Sequence, residues 1–287
     1  MEQVPSDVVW NEELVRFRAE NLANWSERAG LHAKSADYGT AALVSDPDAI
    51  SDVVRFDLHR LGDISGLRVL HLQCHIGTDT VSLARLGATV TGLDFSPSAV
   101  IEGQALAEKC GVDVHFVEGD AYDAVRLLGA ESFDLVYTGI GALCWLPRID
   151  AWASVVHDLL VPGGRLFIRE GHPMLWALDE NVSDALVVRY PYFETPEPLS
   201  CDEAESYVVI KRPLTATWAH SWNHGLGEVV SSLLTSGMTI NSLIEHDSVP
   251  WNALPGQMER DDHDEWRLIK GRDRLPLTYT LTATRTH

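Results

Sequence analysis

The chain has 287 residues, 45% of them hydrophobic, which is enough apolar material for a sizeable core. Its 42 acidic and 22 basic side chains give a formal charge of −20, which argues against broad binding of nucleic acid or anionic lipid, because both rely on clustered Lys and Arg. The sequence has no run of about 18 apolar residues and no basic, apolar leader, so we expect a cytoplasmic protein without a membrane span.

Helical periodicity marks residues 8–30, where Leu14, Phe17, Leu22 and Trp25 fall near one face. A polar connection follows, and from Leu67 onward strand and helix patterns alternate, as they do in a parallel sheet covered on both faces. The predicted strands of this core are residues 68–72, 89–94, 113–118, 133–138 and 165–169.

The pattern changes after residue 172. Residues 173–222 carry several prolines and short alternating runs at 207–210 and 215–220, which predict an antiparallel insertion or lid. A helix over residues 226–236 then leads into two final strands, 238–245 and 277–284. We therefore predict an α/β fold with a doubly wound, mostly parallel seven-stranded sheet, formed by a single domain over residues 1–287. Its parts are an N-terminal helical cap (8–60), a cofactor-binding core (65–170), the insertion (173–222), and the last helix and strands (224–287).

The most informative segment is residues 67–80, a buried strand followed by a tight loop and the start of a helix. A second strand then ends in Asp94, about 20 residues after the loop, the spacing at which α/β folds present a carboxylate to a ribose diol. This pattern predicts an adenosine-containing cofactor.

Over residues 65–170 the chain resembles the class I S-adenosylmethionine-dependent methyltransferases, and more closely a bacterial small-molecule branch of them. The family's loop usually reads Val-Leu-Asp-Leu-Gly-Cys-Gly-Thr-Gly. Here His71 stands at the position of the acid, Gln73 and His75 replace the first two glycines, and Gly77 is kept. S-adenosylmethionine has no pyrophosphate to cradle, so a close backbone approach at Gly77 and a helix N-terminus near Thr78 meet the need. Histidine tolerates positive φ, so His75 suits a left-handed position, although it also suits simple packing beside the loop.

The resemblance implies S-adenosyl-L-methionine as cofactor and assigns roles along the sheet edge. Asp94 matches the ribose-binding acid, and Asp120 matches the acid that receives the adenine amino group, with the alternative that it caps the following helix. The complete predicted cofactor set is Trp25, Tyr38, Gln73, His75, Gly77, Asp94, Phe95, Asp120, Ala121, Thr138 and Gly139.

Two other functions remain open on the sequence. A nicotinamide-dependent oxidoreductase shares the strand, loop, helix and acid, but it expects a G-x-G-x-x-G loop where this chain offers only Gly77. The other is a non-catalytic protein that binds S-adenosylmethionine.

Two histidines are candidate general bases for methyl transfer. His172 lies just after the fifth strand, and His224 precedes the last long helix; an unperturbed imidazole titrates near neutrality. Either is equally suited to a structural hydrogen bond. The candidate substrate contacts are Trp145, Trp176 and Trp222, whose aromatic faces suit a flat acceptor or a sulfonium.

No metal site is predicted. The acidic run 261–265 reads as a solvated surface connection, and no zinc spacing is present. Cys74, Cys110, Cys144 and Cys201 form no CxxC pair, which favours free thiols in a reducing cytoplasm.

The sequence thus predicts a methyltransferase that moves a methyl group from S-adenosylmethionine to an oxygen or nitrogen of a small molecule. Its partner is that small-molecule acceptor, with no nucleic acid and no membrane, and a homodimer is left open.

Overall fold

The computed structural model describes residues 10–286. Its main sheet has seven strands in the order β3-β2-β1-β4-β5-β11-β8. These are β1 (Arg68–Leu72), β2 (Thr89–Asp94), β3 (Val114–Glu118), β4 (Phe133–Thr138), β5 (Leu160–Gly171), β8 (Met238–His246) and β11 (Thr278–Arg285). Only β11 runs against its neighbours, pairing antiparallel with β5 and β8. The predicted fold class is confirmed.

Helices cover both faces of the sheet. Those before it are α1 (Glu12–His32), α2 (Thr40–Ser45) and α3 (Asp52–Leu61). Those that follow are α4 (Thr78–Arg85), α5 (Pro97–Cys110), α6 (Ala124–Leu128), α7 (Ile149–Leu159), α8 (Pro173–Trp176) and α9 (Leu226–Thr235). The start of α5 shows why these residues form a helix, because the Ser96 side chain accepts from the Ala99 N–H and Pro97 takes the first turn.

Side chains of β1 alternate between two cores, as the two-residue repeat of a strand requires. Val69 packs with Val54 of α3 and Leu83 of α4. Leu70 packs on the other face with Trp152 of α7 and Leu233 of α9. The carboxyl ends of the parallel strands therefore emerge between two packed layers, which is where such folds bind ligands.

The insertion differs from its prediction in detail. Residues 207–210 are not a strand; the insertion's two strands are β6 (Leu199–Asp202) and β7 (Trp218–Ser221), which pair antiparallel. The prediction failed because residues 207–210 are fixed by contacts with the N-terminal segment rather than by a strand partner, as in the bond from Val209 N–H to Asp37 Oδ2.

Two further differences from the predictions concern the first helix and the acidic run 261–265. The first helix begins at Glu12, and residues 8 and 9 of the predicted helix lie outside the described residues. In the acidic run 261–265, residues 262–264 are exposed as predicted, but the run is not solvated throughout. It turns between β9 (Met258–Arg260) and β10 (Trp266–Leu268), and its last residue, Glu265, is buried against Arg169.

Within residues 10–286, no helix is long and apolar enough to cross a membrane. The same residues contain no group of three or more His, Cys, Asp or Glu side chains arranged to hold a metal ion.

Candidate active site

The loop after β1 has a left-handed backbone at three positions. The φ angles are 62° at Gln73, 47° at His75 and 77° at Gly77, so the prediction of a left-handed His75 is confirmed. A Cβ on Gly77 would lie 2.8 Å from Phe116 Cζ and 3.3 Å from Gly103 Cα, which explains why this glycine is kept. The chain thus forms the family's loop with side chains at two positions where a glycine is usual.

Asp94 ends β2 and faces this loop. Its Oδ2 accepts from the His75 N–H at 2.8 Å, and its Oδ1 accepts from the Ser96 N–H at 2.9 Å. Burial raises the pKa of Asp94 to about 6, although the two backbone hydrogen bonds pull it down. Each oxygen keeps a lone pair, so the carboxylate is fixed in place and can still accept from a diol. Phe95, which follows it, is half-buried.

Asp120 has both oxygens engaged. Oδ1 accepts from the Tyr122 N–H at 2.9 Å and caps the short 3-10 helix Ala121–Asp123. Oδ2 accepts from Arg18 Nε of α1 at 2.5 Å. Asp120 therefore caps the helix that follows it, which is the alternative role predicted from the sequence. Its ion pair with Arg18 joins α1 to the end of β3. An adenine contact at Asp120 and the buried Ala121 stays a prediction.

Aromatic and imidazole rings from α1 and the sheet edge meet above the loop. The Trp25 ring centroid lies 5.2 Å from that of His75 and 5.1 Å from that of Trp145. Tyr38 stacks on His32 at 5.0 Å and lies 5.5 Å from His75. The structure thus brings together Trp25, Tyr38, His75 and Trp145, which the sequence had placed separately with cofactor or substrate.

The two histidines of this group are uncharged. His32 Nδ1 and His75 Nε2 share a hydrogen bond of 3.0 Å. The pKa of His32 is lowered to about 2, chiefly by burial and then by His75 and Arg28. The pKa of His75 is lowered to about 3, chiefly by burial and then by Arg28. Neutral imidazoles and indoles suit a cofactor whose sulfur is positively charged, because they add no repulsion.

Three buried polar atoms at this crevice have no hydrogen-bond partner among residues 10–286. They are Trp25 Nε1, Gln73 Oε1 and Thr138 Oγ1. Gln73 spans the crevice, because its Nε2 donates to the carbonyl of Ala142 at 2.9 Å. Unpaired buried donors and acceptors are costly, so their presence here indicates a site completed by a polar ligand. The donor set fits S-adenosylmethionine, which carries a diol, an adenine and an amino-acid group.

The loop after β4 is held by Glu170, which the sequence analysis did not single out. Its Oε1 accepts from the N–H groups of Gly141 (2.5 Å) and Gly171 (2.6 Å), and Oε2 accepts from those of Ala142 (2.8 Å) and Leu143 (2.9 Å). Burial raises the pKa of Glu170, while these bonds lower it. This carboxyl fixes the loop that presents Trp145 to the crevice. The sequence signal that could have identified Glu170 is its place as a polar residue at the carboxyl end of a buried strand.

A small cavity lies beside this loop. It is lined by Leu143, Cys144, Glu170, Gly171, Trp176, Trp222, Asn223, His224 and Tyr279. The volume open to the centre of a water molecule is about 10 Å³, which is enough for about one water. Trp176 and Trp222, both predicted substrate contacts, therefore meet His224 here, whereas Trp145 belongs to the ring group above the cofactor loop.

The two candidate bases are both held by hydrogen bonds. His224 Nδ1 lies 2.6 Å from Glu194 Oε2 and Nε2 lies 2.8 Å from the carbonyl of Leu146, so both nitrogens face acceptors. His172 Nδ1 accepts from the Met174 N–H at 3.0 Å and caps α8, with Nε2 2.9 Å from Glu245 Oε1. Burial lowers the pKa of His172, and Glu245 opposes the shift. Both arrangements favour positioning over proton removal, and the catalytic assignments stay predictions.

The insertion covers the crevice because side chains of α1 form hydrogen bonds with its backbone. Asn21 pairs with His220 through two bonds of 2.8 Å, one to its carbonyl and one from its N–H. Asn24 Nδ2 donates to the carbonyl of Ala216 at 2.6 Å. Glu27 accepts from the N–H groups of Thr215 and Ala216, each at 2.8 Å, and pairs with Arg212. These contacts hold its pKa at about 2 despite burial. The cap and the insertion therefore form one cover.

Comparison with known proteins agrees with this geometry. Residues 70–166 match a family model described as a methyltransferase domain. An uncharacterised methyltransferase of Synechocystis is 38% identical over 122 residues, 42% of this chain and 54% of its own. A ubiquinone biosynthesis O-methyltransferase of Azorhizobium caulinodans is 30% identical over 124 residues, 43% of this chain and 48% of its own. The chain thus spans about half the length of these relatives.

Among solved structures, an S-adenosylmethionine-dependent methyltransferase of Mesorhizobium loti has the same fold, with a TM-score of 0.55 and 20% identity. The match covers 82% of this chain and 98% of that one. The family match and this fold confirm the resemblance stated from the sequence and support S-adenosyl-L-methionine as the cofactor.

Proposed function

We propose that this chain, which carries a class I S-adenosylmethionine-dependent methyltransferase domain, transfers the cofactor's methyl group to an oxygen or nitrogen of a small molecule. The observation that carries the proposal is Asp94, a carboxylate fixed by backbone N–H groups of His75 and Ser96 at the carboxyl edge of the sheet. Three unpaired buried polar atoms lie at the same crevice. A polar nucleoside ligand accounts for both features.

Different residues of the chain would hold the ribose, the adenine and the methionine end of the cofactor. Asp94 would accept from the ribose hydroxyls, Asp120 and Ala121 would face the adenine, and Thr138 and Gly139 would lie beside the methionine end. Trp25, Tyr38 and His75 would enclose it from the side of α1. When bound, the cofactor supplies an electrophilic methyl group on a positively charged sulfur.

Catalysis in this site rests mainly on alignment and exclusion of water. The cover formed by α1 and the insertion encloses the crevice, and Glu170 fixes the loop that carries Trp145. Methyl transfer is an in-line displacement, so a fixed approach of the nucleophile contributes much of the rate enhancement. His224 and Trp222 would position the acceptor, and His172 would hold the start of α8 just after β5.

The enclosure favours a small acceptor over a macromolecule. A small cavity beside the site is lined by Trp176, Trp222 and Tyr279, among other residues. Aromatic walls favour a flat, ring-bearing acceptor, and the O-methyltransferase relative is named for ubiquinone biosynthesis. The charge of −20 disfavours nucleic acid. A cytoplasmic location belongs to the proposal as well, and a homodimer stays open.

A methyl-transfer assay tests the acceptor class. The protein would be incubated with S-adenosylmethionine carrying a labelled methyl group and with panels of phenols, catechols, amines and carboxylic acids. We expect labelled product from a ring-bearing phenol or amine, with the methyl on oxygen or nitrogen by NMR. A product methylated on carbon or sulfur would overturn the O/N assignment. Cofactor binding without transfer to any panel member would favour the non-catalytic alternative.

A further inference from the structure

Gln73 carries a side chain at a backbone position that favours glycine. It is the first residue of the loop after β1, where the family usually has a glycine. Its φ of 62° lies in the left-handed region, which costs free energy for a residue with a Cβ. Residues kept in such a conformation cluster at functional sites. The contacts of this side chain therefore point to its role.

The Gln73 amide is held in one orientation. Its Nε2 donates to the Ala142 carbonyl at 2.9 Å. This carbonyl also accepts from the Trp145 N–H at 3.3 Å, and the Ala142 N–H donates to Glu170 Oε2 at 2.8 Å. Because a carbonyl can only accept, the amide nitrogen must be the atom that faces Ala142. The place of Oε1 is therefore set by the hydrogen bond of its own amide nitrogen.

Gln73 Oε1 is a buried acceptor without a donor. In the described part of the chain, residues 10–286, it has no hydrogen-bond partner. The other two unpaired atoms of the crevice are Trp25 Nε1, which can only donate, and Thr138 Oγ1, which can donate or accept. Oε1 is therefore the one atom of the three that can only accept, and an unpaired buried acceptor is costly. A ligand that pairs with it must bring an N–H or O–H.

The Gln73 side chain lies between the proposed cofactor site and the acceptor cavity. Its backbone belongs to the loop after β1, whereas its amide reaches Ala142 of the loop after β4. The two residues after Ala142, Leu143 and Cys144, line the small cavity beside that loop. Methyl transfer takes place where cofactor and acceptor meet. An oxygen on this border is placed to accept from the nucleophile itself.

The side chains that line the cavity are poor bases. Both nitrogens of His224 face acceptors, and the Glu170 carboxylate accepts four backbone N–H groups. Burial raises the pKa values of the Cys144 thiol and the Tyr279 hydroxyl, which keeps both protonated near neutral pH. An amide oxygen such as Gln73 Oε1 takes up no proton under these conditions. The nucleophile therefore attacks with its hydrogen still attached.

This requirement separates amines from phenols. An amine nitrogen attacks through its lone pair while an N–H remains to donate a hydrogen bond. A phenolate has no hydrogen to donate and would set its lone pairs against those of Gln73 Oε1, and a neutral hydroxyl is a weak nucleophile. The unpaired acceptor thus favours nitrogen over oxygen.

We propose that Gln73 Oε1 accepts a hydrogen bond from an N–H of the methyl acceptor, which is a primary or secondary amine. This inference rests on the proposed function and narrows it from oxygen or nitrogen to nitrogen. The nitrogen lone pair forms the bond to the methyl carbon, the carbon–sulfur bond breaks, and its electron pair stays on sulfur. The product ammonium then releases a proton to water. The hydrogen bond to Gln73 orients the nitrogen for this in-line attack.

Calorimetry separates this role from a contact with the cofactor. Gln73→Gly removes the side chain at a φ that glycine adopts without steric cost, and Gln73→Leu keeps its bulk without polar atoms. Both variants should bind S-adenosylhomocysteine within about twofold of wild type, because no hydrogen bond to it is lost. A loss of about tenfold or more in both variants would show that Gln73 contacts the cofactor. That result would overturn the inference and leave the cofactor assignment in place.

Matched amines test the hydrogen bond itself. Each ring is offered as a secondary amine with one N–H and as its tertiary N-methyl counterpart with none, as in N-methylaniline and N,N-dimethylaniline, both uncharged near neutral pH. Wild type should prefer the secondary amine by about tenfold or more in kcat/KM, because the tertiary amine leaves Gln73 Oε1 unpaired. Gln73→Gly and Gln73→Leu should lose this preference. A merely structural defect would lower both rates by the same factor and keep the preference.

Two exposed positions supply controls. Gln104→Leu, on α5, matches Gln73→Leu, and Asp264→Gly, at a φ of 64°, matches Gln73→Gly; neither should change the preference. A preference kept in both Gln73 variants would overturn the inference, and so would transfer by wild type to the phenol or thiol of the same ring but not to its amines. Wild-type protein that binds S-adenosylhomocysteine and methylates no amine, phenol or thiol would contradict the proposed function itself.

Discussion

The backbone N–H of His75 donates to Asp94 Oδ2 across 2.8 Å, and this bond ties the loop after β1 to the end of β2. The left-handed φ of 47° at His75 turns its N–H toward the acid and leaves its ring among Trp25, His32 and Tyr38. One residue thus links the proposed ribose acid to the ring group. The family's usual glycine at this position has no side chain to make the second contact.

Replacing Asp94 tests its ribose role. Asp94→Ala should weaken S-adenosylhomocysteine binding by about tenfold or more, since one or two charged hydrogen bonds are lost at roughly 1.5–3 kcal/mol each. Asp94→Asn keeps the shape of the side chain, so its affinity should lie between those of the wild type and Asp94→Ala. Calorimetry measures both, and an affinity unchanged in Asp94→Ala would remove Asp94 from the cofactor site.

Cofactor affinity should depend on pH near 6. Burial raises the pKa of Asp94 to about 6, so this carboxyl loses its charge as the pH falls through that value. A protonated acid pairs less well with a diol. We therefore expect affinity for S-adenosylhomocysteine to be flat above about pH 7 and to fall by up to about tenfold per pH unit below about pH 6. A flat profile down to about pH 5 would contradict this prediction.

Removing the charge of Asp79 should stabilise the ligand-free protein. The pKa of Asp79 is raised from 3.8 to about 6 in the folded protein, so the folded state holds its proton more tightly than the unfolded state. Its favourable contribution is present below about pH 4 and is lost as the pH rises through about 6. Asp79→Asn should therefore raise the free energy of unfolding at pH 7 by about 1–3 kcal/mol, with little change at pH 4. Urea unfolding at both pH values measures this, and destabilisation at pH 7 would count against it.

Glu170 should be needed for the loop after β4. Glu170→Gln replaces an oxygen that accepts backbone N–H groups with an amide that donates, so up to two buried N–H groups lose their acceptor. We expect a loss of about 2 kcal/mol in the free energy of unfolding. Glu108→Gln, at an exposed position of α5, is the matched control. Equal stability of the two variants in urea would show that the loop does not depend on Glu170.

The two histidines predicted from the sequence remain to be tested by turnover. His224→Ala removes the bridge between Glu194 and the Leu146 carbonyl and should lower kcat/KM by about tenfold through misplacement of the acceptor. His172→Ala should have a smaller effect, because that ring caps α8. Neither should alter S-adenosylhomocysteine affinity. If neither changes the rate, alignment by other residues accounts for catalysis.

The sheet was predictable because its strands are buried and their ends carry turn residues. The alternation of strands and helices after Leu67 gave all seven strands of the main sheet, and Ser96-Pro97 gave the start of α5. The insertion was less predictable. Its pairing of β6 with β7 depends on side chains from α1, such as Asn21 and Glu27, which are distant in sequence.

The site was predictable where a position in the fold determines the role. Asp94 follows from its place at the end of β2, and the left-handed His75 follows from the loop pattern. Glu170 was missed because its role comes from the backbone N–H groups of the loop after β4 that it contacts across the fold, and no local pattern reveals those contacts.

The cofactor assignment is tested most directly by parallel calorimetric titrations of the protein with S-adenosylmethionine, S-adenosylhomocysteine and NAD. We predict binding of the first two at about micromolar Kd and no binding of NAD. Binding of NAD alone, or no binding of any of the three ligands, would contradict the assignment.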